Sequence, residues 1–360
     1  MPIGISFYTL QVVGYLLDVY KDNIKPEKHL GRFALFCAFF PQINAGPIER
    51  GSTLLPQLKK QHEFKYDQVA SGMKLFAFGL FKKMVIADNL GLVVDRVFGS
   101  LPEYRGLSLV ITILLYTWQI YMDFSGYTDM ARGTAQMVGI NLMENFNLPY
   151  SATSVRDFWR RWHISFSSWL RDYIYYPLGG NRKGIVRTIL NTLIVFTISG
   201  LWHGAAWTFV AWGVLHGISI SLERVINKII RSRISVPKLI QVFYAYGMIS
   251  MFWVFFRATS FQDALYILQN SFIGLKNFFI PSYLWATLDQ LFIFDKVEMI
   301  ITFGVLLIAV FMELIRAQTL FSVTLPKQPA LIRLAFYAIL IFLIIQFRNS
   351  DIKAFIYTKF

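Results

Sequence analysis

Long apolar runs separated by short polar or basic stretches organise this chain, and the length of those runs sets its class. Leu107 to Met122, Ile240 to Phe256, Val297 to Met312 and Leu334 to Phe347 are apolar for most of their length. A helix needs roughly 20 residues to cross about 30 Å of hydrocarbon, so each run reads as a membrane span somewhat short of an ideal one. Two further stretches, Gly72 to Phe98 and Ile189 to Ile220, are interrupted by glycines and polar residues, which predicts broken or buried helices. The expected fold is all-α and polytopic, an integral membrane protein with about eight or more membrane-embedded helices. Polar insertions are short, at Glu49 to Tyr66, Asn141 to Arg156, Arg224 to Lys238 and Ile280 to Asp295, so residues 1–360 are expected to form one membrane-embedded domain.

The segment Arg156 to Tyr176 follows a different pattern. Phe158, Trp159, Trp162, Phe166, Trp169 and Tyr173 recur at three- and four-residue steps among arginines, which predicts an amphipathic helix lying at the membrane interface. Pro177-Leu178-Gly179-Gly180-Asn181-Arg182 then turns the chain back towards the membrane.

Composition supports the membrane class: 55% of the 360 residues are hydrophobic, 17% aromatic and only 16% charged. The net charge of +14 is spread in clusters between apolar runs, a distribution that speaks for membrane topology and against nucleic acid. Seven Lys or Arg face two acids between Arg156 and Arg187, and five face one between Glu223 and Lys238, so both segments are expected on the cytoplasmic side. Thr188 to Ser221 then enters and leaves on that side as two short arms turning at Gly200 to Gly204. His203 is thereby placed deep in, or beyond, the membrane. Cys37 is the lone cysteine, which excludes an intrachain disulfide and a cysteine metal cluster. No basic segment followed by a small-residue cleavage site opens the sequence.

Candidate chemistry centres on histidine. Ser199-Gly200-Leu201-Trp202-His203-Gly204 buries an imidazole in an apolar run, and an ionisable group at that depth marks a functional site. Imidazole near its ordinary pKa serves as a general base, and burial keeps it neutral. The alternative is a packed histidine bonded to a neighbouring helix. Arg160-Arg161-Trp162-His163-Ile164-Ser165 holds a second imidazole beside arginines, where solvation at the interface accounts for it as well. His216 reads as structural, and His29 and His62 as solvated. Asp123 and Asp129 punctuate an apolar helix end; positioning a histidine or substrate, capping the helix, or an ion pair with Arg132 each explains them. Arg156, Arg160, Arg161 and Arg171 suit the phosphates of coenzyme A or, equally, anionic lipid. His-Glu-x-x-His, Walker and Gly-x-Ser-x-Gly patterns are missing, which argues against metal, nucleotide and serine-nucleophile chemistry.

Several ordered motifs together carry a family resemblance. Phe158-Trp159-Arg160-Arg161-Trp162-His163-Ile164-Ser165, Trp169-Leu170-Arg171-Asp172-Tyr173-Ile174-Tyr175, Trp202-His203-Gly204 and Trp212-Gly213 closely resemble the membrane-bound O-acyltransferase family, in particular its alginate O-acetylation branch. Pro2-Ile3-Gly4-Ile5-Ser6-Phe7-Tyr8, Phe40-Pro41-Gln42, Ala45-Gly46-Pro47-Ile48, Asp123-Phe124-Ser125-Gly126-Tyr127-Thr128-Asp129-Met130 and Phe255-Phe256-Arg257-Ala258 extend the likeness over nearly the whole chain.

In the family the Pro-Ile-Gly-Ile-Ser-Phe segment follows several membrane helices, so the resemblance implies that an N-terminal part of the fold is missing here. It also implies a multi-helix fold with a thin centre, where an acyl donor from the cytoplasm meets an acceptor from the other face. His203 matches the family's base, and His163 the second polar position, where asparagine or histidine occurs, with a role in orienting or admitting the donor. Trp162, Trp202 and Asp123 join the arginines as candidate substrate contacts. The donor is acetyl-CoA or an acyl carrier acting as co-substrate, with no tightly bound cofactor. The acceptor is a cell-envelope polysaccharide such as alginate, and the expected partner is a separate extracytoplasmic acetyltransferase. Peptidoglycan O-acetylation and D-alanyl transfer to teichoic acid are the alternative reactions; a transporter or a non-catalytic scaffold is the alternative class.

Overall fold

The computed structural model describes residues 4–230, 236–293, 295–315, 325–347 and 355–356. The opening Met1 to Ile3, the closing Tyr357 to Phe360 and residues 231–235 of the Arg224 to Lys238 stretch lie outside the described residues. Every regular element among the described residues is helical. The first part of the chain forms α1 (Ile5–Tyr20), α2 (Leu30–Cys37), α3 (Gly51–Lys59), α4 (Tyr66–Phe81), α5 (Asp88–Gly99) and α6 (Leu107–Met137). Then follow α7 (Val155–Phe158), α8 (Ile164–Leu170), α9 (Gly184–His203), α10 (Trp207–Ile230) and α11 (Lys238–Arg257). The last are α12 (Phe261–Asn270), α13 (Pro281–Phe292), α14 (Lys296–Leu314) and α15 (Ala330–Phe347). Six of these, α6, α9, α10, α11, α14 and α15, are long and apolar enough among the described residues to cross a membrane.

The expected Leu107 to Met122 span is the first half of a longer helix. α6 has 31 residues, about 46 Å at 1.5 Å per residue, and Asp123 and Asp129 sit inside it rather than at its end. The Gly72 to Phe98 stretch is not broken either: a π-helical turn at Lys82–Ala87 joins α4 to α5 in one continuous rod. That rod runs antiparallel to α6. Gly72 meets Gly133 and Gly79 meets Gly126, where an added Cβ would lie 2.6 Å and 2.5 Å from the opposing carbonyl oxygens. Further along, Phe98 meets Tyr116 with ring centroids 6.2 Å apart. Small residues at matched positions let two backbones touch, which substitutes for the hydrophobic drive that lipid cannot supply.

Ile189 to Ile220 does fold as a hairpin turning after His203, but its arms are not short. α9 and α10 have 20 and 24 residues, each of membrane-spanning length. The arms approach closely because Gly200 and Gly213 face the backbone carbonyls of Phe209 and Phe196.

Arg156 to Tyr176 departs most from expectation. In place of one interfacial rod, it forms α7, a break at Trp159 to His163, α8, and a π-helical turn at Arg171–Tyr175. Its aromatic stripe faces protein rather than headgroups: Phe158, Trp162 and Phe166 are at most 1% exposed. Ser154 caps α7 by accepting from the Asp157 amide at 2.9 Å. Asn145 serves α8, its carbonyl taking the Ile164 amide at 3.0 Å and its side chain the Ser165 amide at 3.1 Å. These bonds satisfy the donors that a helix start leaves open.

Ion pairs and capping bonds tie both ends of the bundle. At one end, where the starts of α4 and α15 line one cavity and the basic segments lie, the Glu223 carboxylate accepts the Val155 and Arg156 amides. The other end is tied by Arg96 to Glu298 at 2.8 Å and Arg257 to Asp95 at 2.8 Å.

Candidate active site

His203 is the last residue of α9, because the chain leaves the helix at Gly204 and re-enters at Trp207. Its side chain is 1% exposed and walled by rings: Trp202, Trp212 and Phe256 lie with centroids 4.8, 5.1 and 5.1 Å away, and Phe166 at 5.7 Å. His163 occupies the break between α7 and α8, with a left-handed backbone at φ 43°. It is also 1% exposed, with Phe124 at 4.8 Å, Phe166 at 5.0 Å, Phe7 at 6.2 Å and Trp202 at 6.3 Å. The two imidazoles therefore share two neighbours, Phe166 and Trp202, which stack on each other at 4.4 Å. The Trp202 indole donates to the Ser6 carbonyl at 3.3 Å, which brings α1 into the same box. Burial pushes the His163 imidazole well below its ordinary pKa, and the nearby His203 adds to the effect. The arrangement encloses two imidazoles in one aromatic chamber, and a ring of this kind, when neutral, can accept a proton.

His216, on α10, is a third buried imidazole. Its Nδ1 accepts from the Trp159 indole at 3.1 Å, and its ring lies parallel to those of Phe158 and Phe196. That bond ties the α7 segment to the hairpin.

The remaining expected residues separate into three places. Trp162 is enclosed by Phe146 and Trp253 at 5.0 Å each and by Phe158 at 5.4 Å, forming the wall immediately before His163. Arg156, Arg160 and Arg171 are exposed at the basic end, and Arg161 is half-buried on Asp157 at 3.0 Å. Arg171 pairs with its neighbour Asp172 at 2.8 Å. Asp123 belongs to a buried charge network: its Oδ1 takes Lys83 Nζ at 2.7 Å, and its Oδ2 the Ile356 amide at 2.8 Å. Lys83 also binds Asp88 at 2.8 Å, while Asp129 takes Lys82 at 2.6 Å and lies 3.8 Å from Arg132. Sequence reasoning passed over Lys82 and Lys83. The available signal was two adjacent lysines inside an apolar run, which must find carboxylates at that depth. Among the described residues no three His, Cys, Asp or Glu side chains converge to hold a metal ion.

A cavity of about 910 Å³ opens between α4, α6, the 144–148 segment, α14 and α15 at the basic end. Tyr121 and Phe146 line it. Behind them stand Trp162, 6.0 Å from Tyr121, and Phe124, 5.1 Å from Phe146 and in contact with His163. Two successive rings, Phe146 and then Phe124, thus separate the cavity from His163. Glu313, which no local sequence pattern singles out, lines the cavity and accepts from the Tyr121 hydroxyl at 2.9 Å.

Six helices of membrane-spanning length among the described residues and a buried histidine pair define a multi-pass membrane protein with an enclosed candidate site. Residues 27–261 match the membrane-bound O-acyltransferase (MBOAT) family, and the chain belongs to it. It is 40% identical over 303 residues to the peptidoglycan O-acetyltransferase of Helicobacter pylori, covering 77% of this chain and 57% of that protein. It is 40% identical over 264 residues to the probable alginate O-acetylase AlgI of Pseudomonas aeruginosa, covering 73% of this chain and 50% of the relative. The teichoic acid D-alanyltransferase of Bacillus subtilis is 26% identical over 235 residues, 63% of this chain and 60% of the relative. The chain spans about half the length of the curated relatives it matches.

Proposed function

We propose that this chain forms the transfer core of an enzyme of the cytoplasmic membrane that moves an acetyl group from a cytoplasmic donor to hydroxyls of a cell-envelope polysaccharide. The observation that supports this reading is the pair His163 and His203, forty residues apart in sequence and enclosed around one Phe166–Trp202 stack. Two relatives named as O-acetyltransferase or O-acetylase, each 40% identical, favour acetyl over D-alanyl.

In this reading His203 takes the proton of an acceptor hydroxyl as its oxygen attacks the carbonyl carbon of a thioester. The carbon–sulfur bond breaks, and the imidazolium returns the proton to the departing thiolate. His163 orients the donor, acetyl-CoA or an acyl carrier, which arrives from the basic end through the 910 Å³ cavity. Arg156 and Arg160 attract the donor's phosphates to that end. The acceptor, alginate-like or peptidoglycan, is served on the opposite face with a separate extracytoplasmic transferase.

The test is transfer of labelled acetyl from acetyl-CoA, and of labelled D-alanine from its carrier, to envelope polysaccharide in membranes holding the full-length protein. Wild type is compared with His203→Ala at matched protein level. Acetyl label lost only in the variant supports the reading. D-alanyl label alone replaces the acetyl donor, equal label in both proteins removes His203 from the chemistry, and no label with any donor overturns acyl transfer.

A further inference from the structure

Glu313 lies near the end of α14, beyond the residues that match the family, and is 9% exposed. Its Oε2 is engaged by Tyr121 and the Tyr150 backbone lies against the carboxyl, while its Oε1 is enclosed with no hydrogen bond of ordinary geometry among the described residues. A carboxyl oxygen at that depth is costly to bury without a second donor. The cavity that Glu313 lines has room for one. Of the cations lining the same cavity, Lys82 is bound to Asp129 and Arg132 to Glu144. Lys74 and Arg333 complete the set, and the Arg333 Nε is likewise enclosed with no partner among the described residues.

We propose that Glu313 is a donor-binding residue. Its Oε1 accepts a hydrogen bond from an amide N–H or hydroxyl on the arm that carries the acyl thioester, while Lys74 and Arg333 meet the phosphate at the other end of that arm. The inference rests on the reading that an acyl donor enters through this cavity, and it adds the chemical class of the arm: hydrogen-bond donors towards the histidines, an anion towards the mouth. Tyr121, held by Glu313, touches Trp162 at 6.0 Å, so the arm's inner end is set against the wall of the histidine chamber.

The experiment measures donor KM and kcat with saturating acceptor, in membranes holding the full-length protein, for acetyl-CoA and for S-acetyl-N-acetylcysteamine, a thioester with the amide but no phosphate. Glu313→Ala is expected to raise the KM of both donors about tenfold with kcat within about threefold, the size of one lost hydrogen bond to a charged group. Glu313→Gln, which keeps an acceptor oxygen, is expected to recover most of that affinity. Arg333→Ala is expected to raise the KM of acetyl-CoA alone. An unchanged KM in Glu313→Ala, a loss confined to kcat, or an Arg333→Ala effect equal for both thioesters overturns the inference while leaving acyl transfer intact. If Glu313→Ala does not accumulate, Glu313→Met, of similar volume and without an acceptor oxygen, replaces it with the same expectation, and Arg333→Ala decides independently by its split between the two thioesters. A wild type that transfers acetyl from neither thioester overturns the donor reading together with the inference.

Discussion

The histidine chamber and the lysine network are buried in the same helical bundle by different means. Lys82 and Lys83 are enclosed by carboxylates, with side chains 8% and 7% exposed and contacts of 2.6–2.8 Å to Asp129, Asp88 and Asp123. His163 and His203 are enclosed by rings, Phe166 and Trp202 above all. A carboxylate beside a lysine fixes both charges, so that network acts as a clamp between the α4–α5 rod and α6. Around the two imidazoles the packing partners are aromatic rings instead. The difference separates a region held by paired charges from the region that the proposed transfer would use.

The largest expected effect tests the reactive half. His203→Ala should lower acetyl transfer by about 10²–10⁴-fold, the range for losing a general base. The variant should still fold, its thermal unfolding midpoint in detergent lowered by the cavity the ring leaves but not by a buried charge left without its counter-ion. A variant that loses activity only because it unfolds would erase the distinction between the two regions.

Lys83→Met tests the other half. It leaves Asp88 and Asp123 buried without their shared cation, a change expected to cost about 3–5 kcal/mol of stability. Adding Asp88→Asn and Asp123→Asn should restore much of that loss, since removing all members of a buried ion set is far less costly than removing one. Thermal unfolding of the purified single and triple variants reads both effects, and a triple variant no more stable than the single one would deny that charge is the cause.

His163 lies between these extremes because its backbone and its ring make separate demands. At φ 43° a β-branched residue is strained, whereas asparagine tolerates that region. His163→Asn should therefore keep the fold and lose about tenfold in transfer, and His163→Val should lose both. The pH dependence follows from the sign of its shift. Burial lowers the folded-state pKa beneath the ordinary 6.5, so the unfolded chain binds the proton more readily. Stability from this group is fully present above pH 6.5 and declines as pH falls below it. His163→Asn should flatten that decline by up to one proton, measured as unfolding midpoint against pH.

How much of this was legible in the sequence depends on the range of the contact involved. His203, the hairpin turning beside it and the membrane class are written in local pattern: an imidazole within an apolar run, glycines at the turn, run lengths near a bilayer's thickness. The π-helical turn at Lys82–Ala87 and the clamp it presents were not legible, because Lys83 finds Asp123 forty residues away on another helix. Hydropathy falls at Asp123 and Asp129, which predicts a helix end there; partners on the facing rod let α6 continue through them. The aromatic stripe of Arg156 to Tyr176 was legible as a stripe. Its neighbour was not, since Trp and Phe at helical spacing suit headgroups and a protein core equally, and only Trp253, Trp212 and Phe146 packed against it decide for the core.

The smallest effect comes from an ion pair outside the bundle. Arg171 and Asp172 sit 2.8 Å apart, a contact as short as that between Lys83 and Asp88, but their side chains are 54% and 35% exposed. Water screens both charges and already solvates each alone, so Arg171→Ala should change stability by less than about 1 kcal/mol. Raising salt should not separate it from wild type, because what little attraction exists is then screened further. The two pairs have similar contact distances but differ in burial and in what a deletion leaves behind: Asp172 keeps Arg50 at 3.2 Å, whereas Asp88 and Asp123 lose a shared cation. If Arg171→Ala proved as destabilising as Lys83→Met in the same unfolding measurement, contact distance rather than desolvation would govern both, and the contrast between clamp and chamber would lose its physical basis.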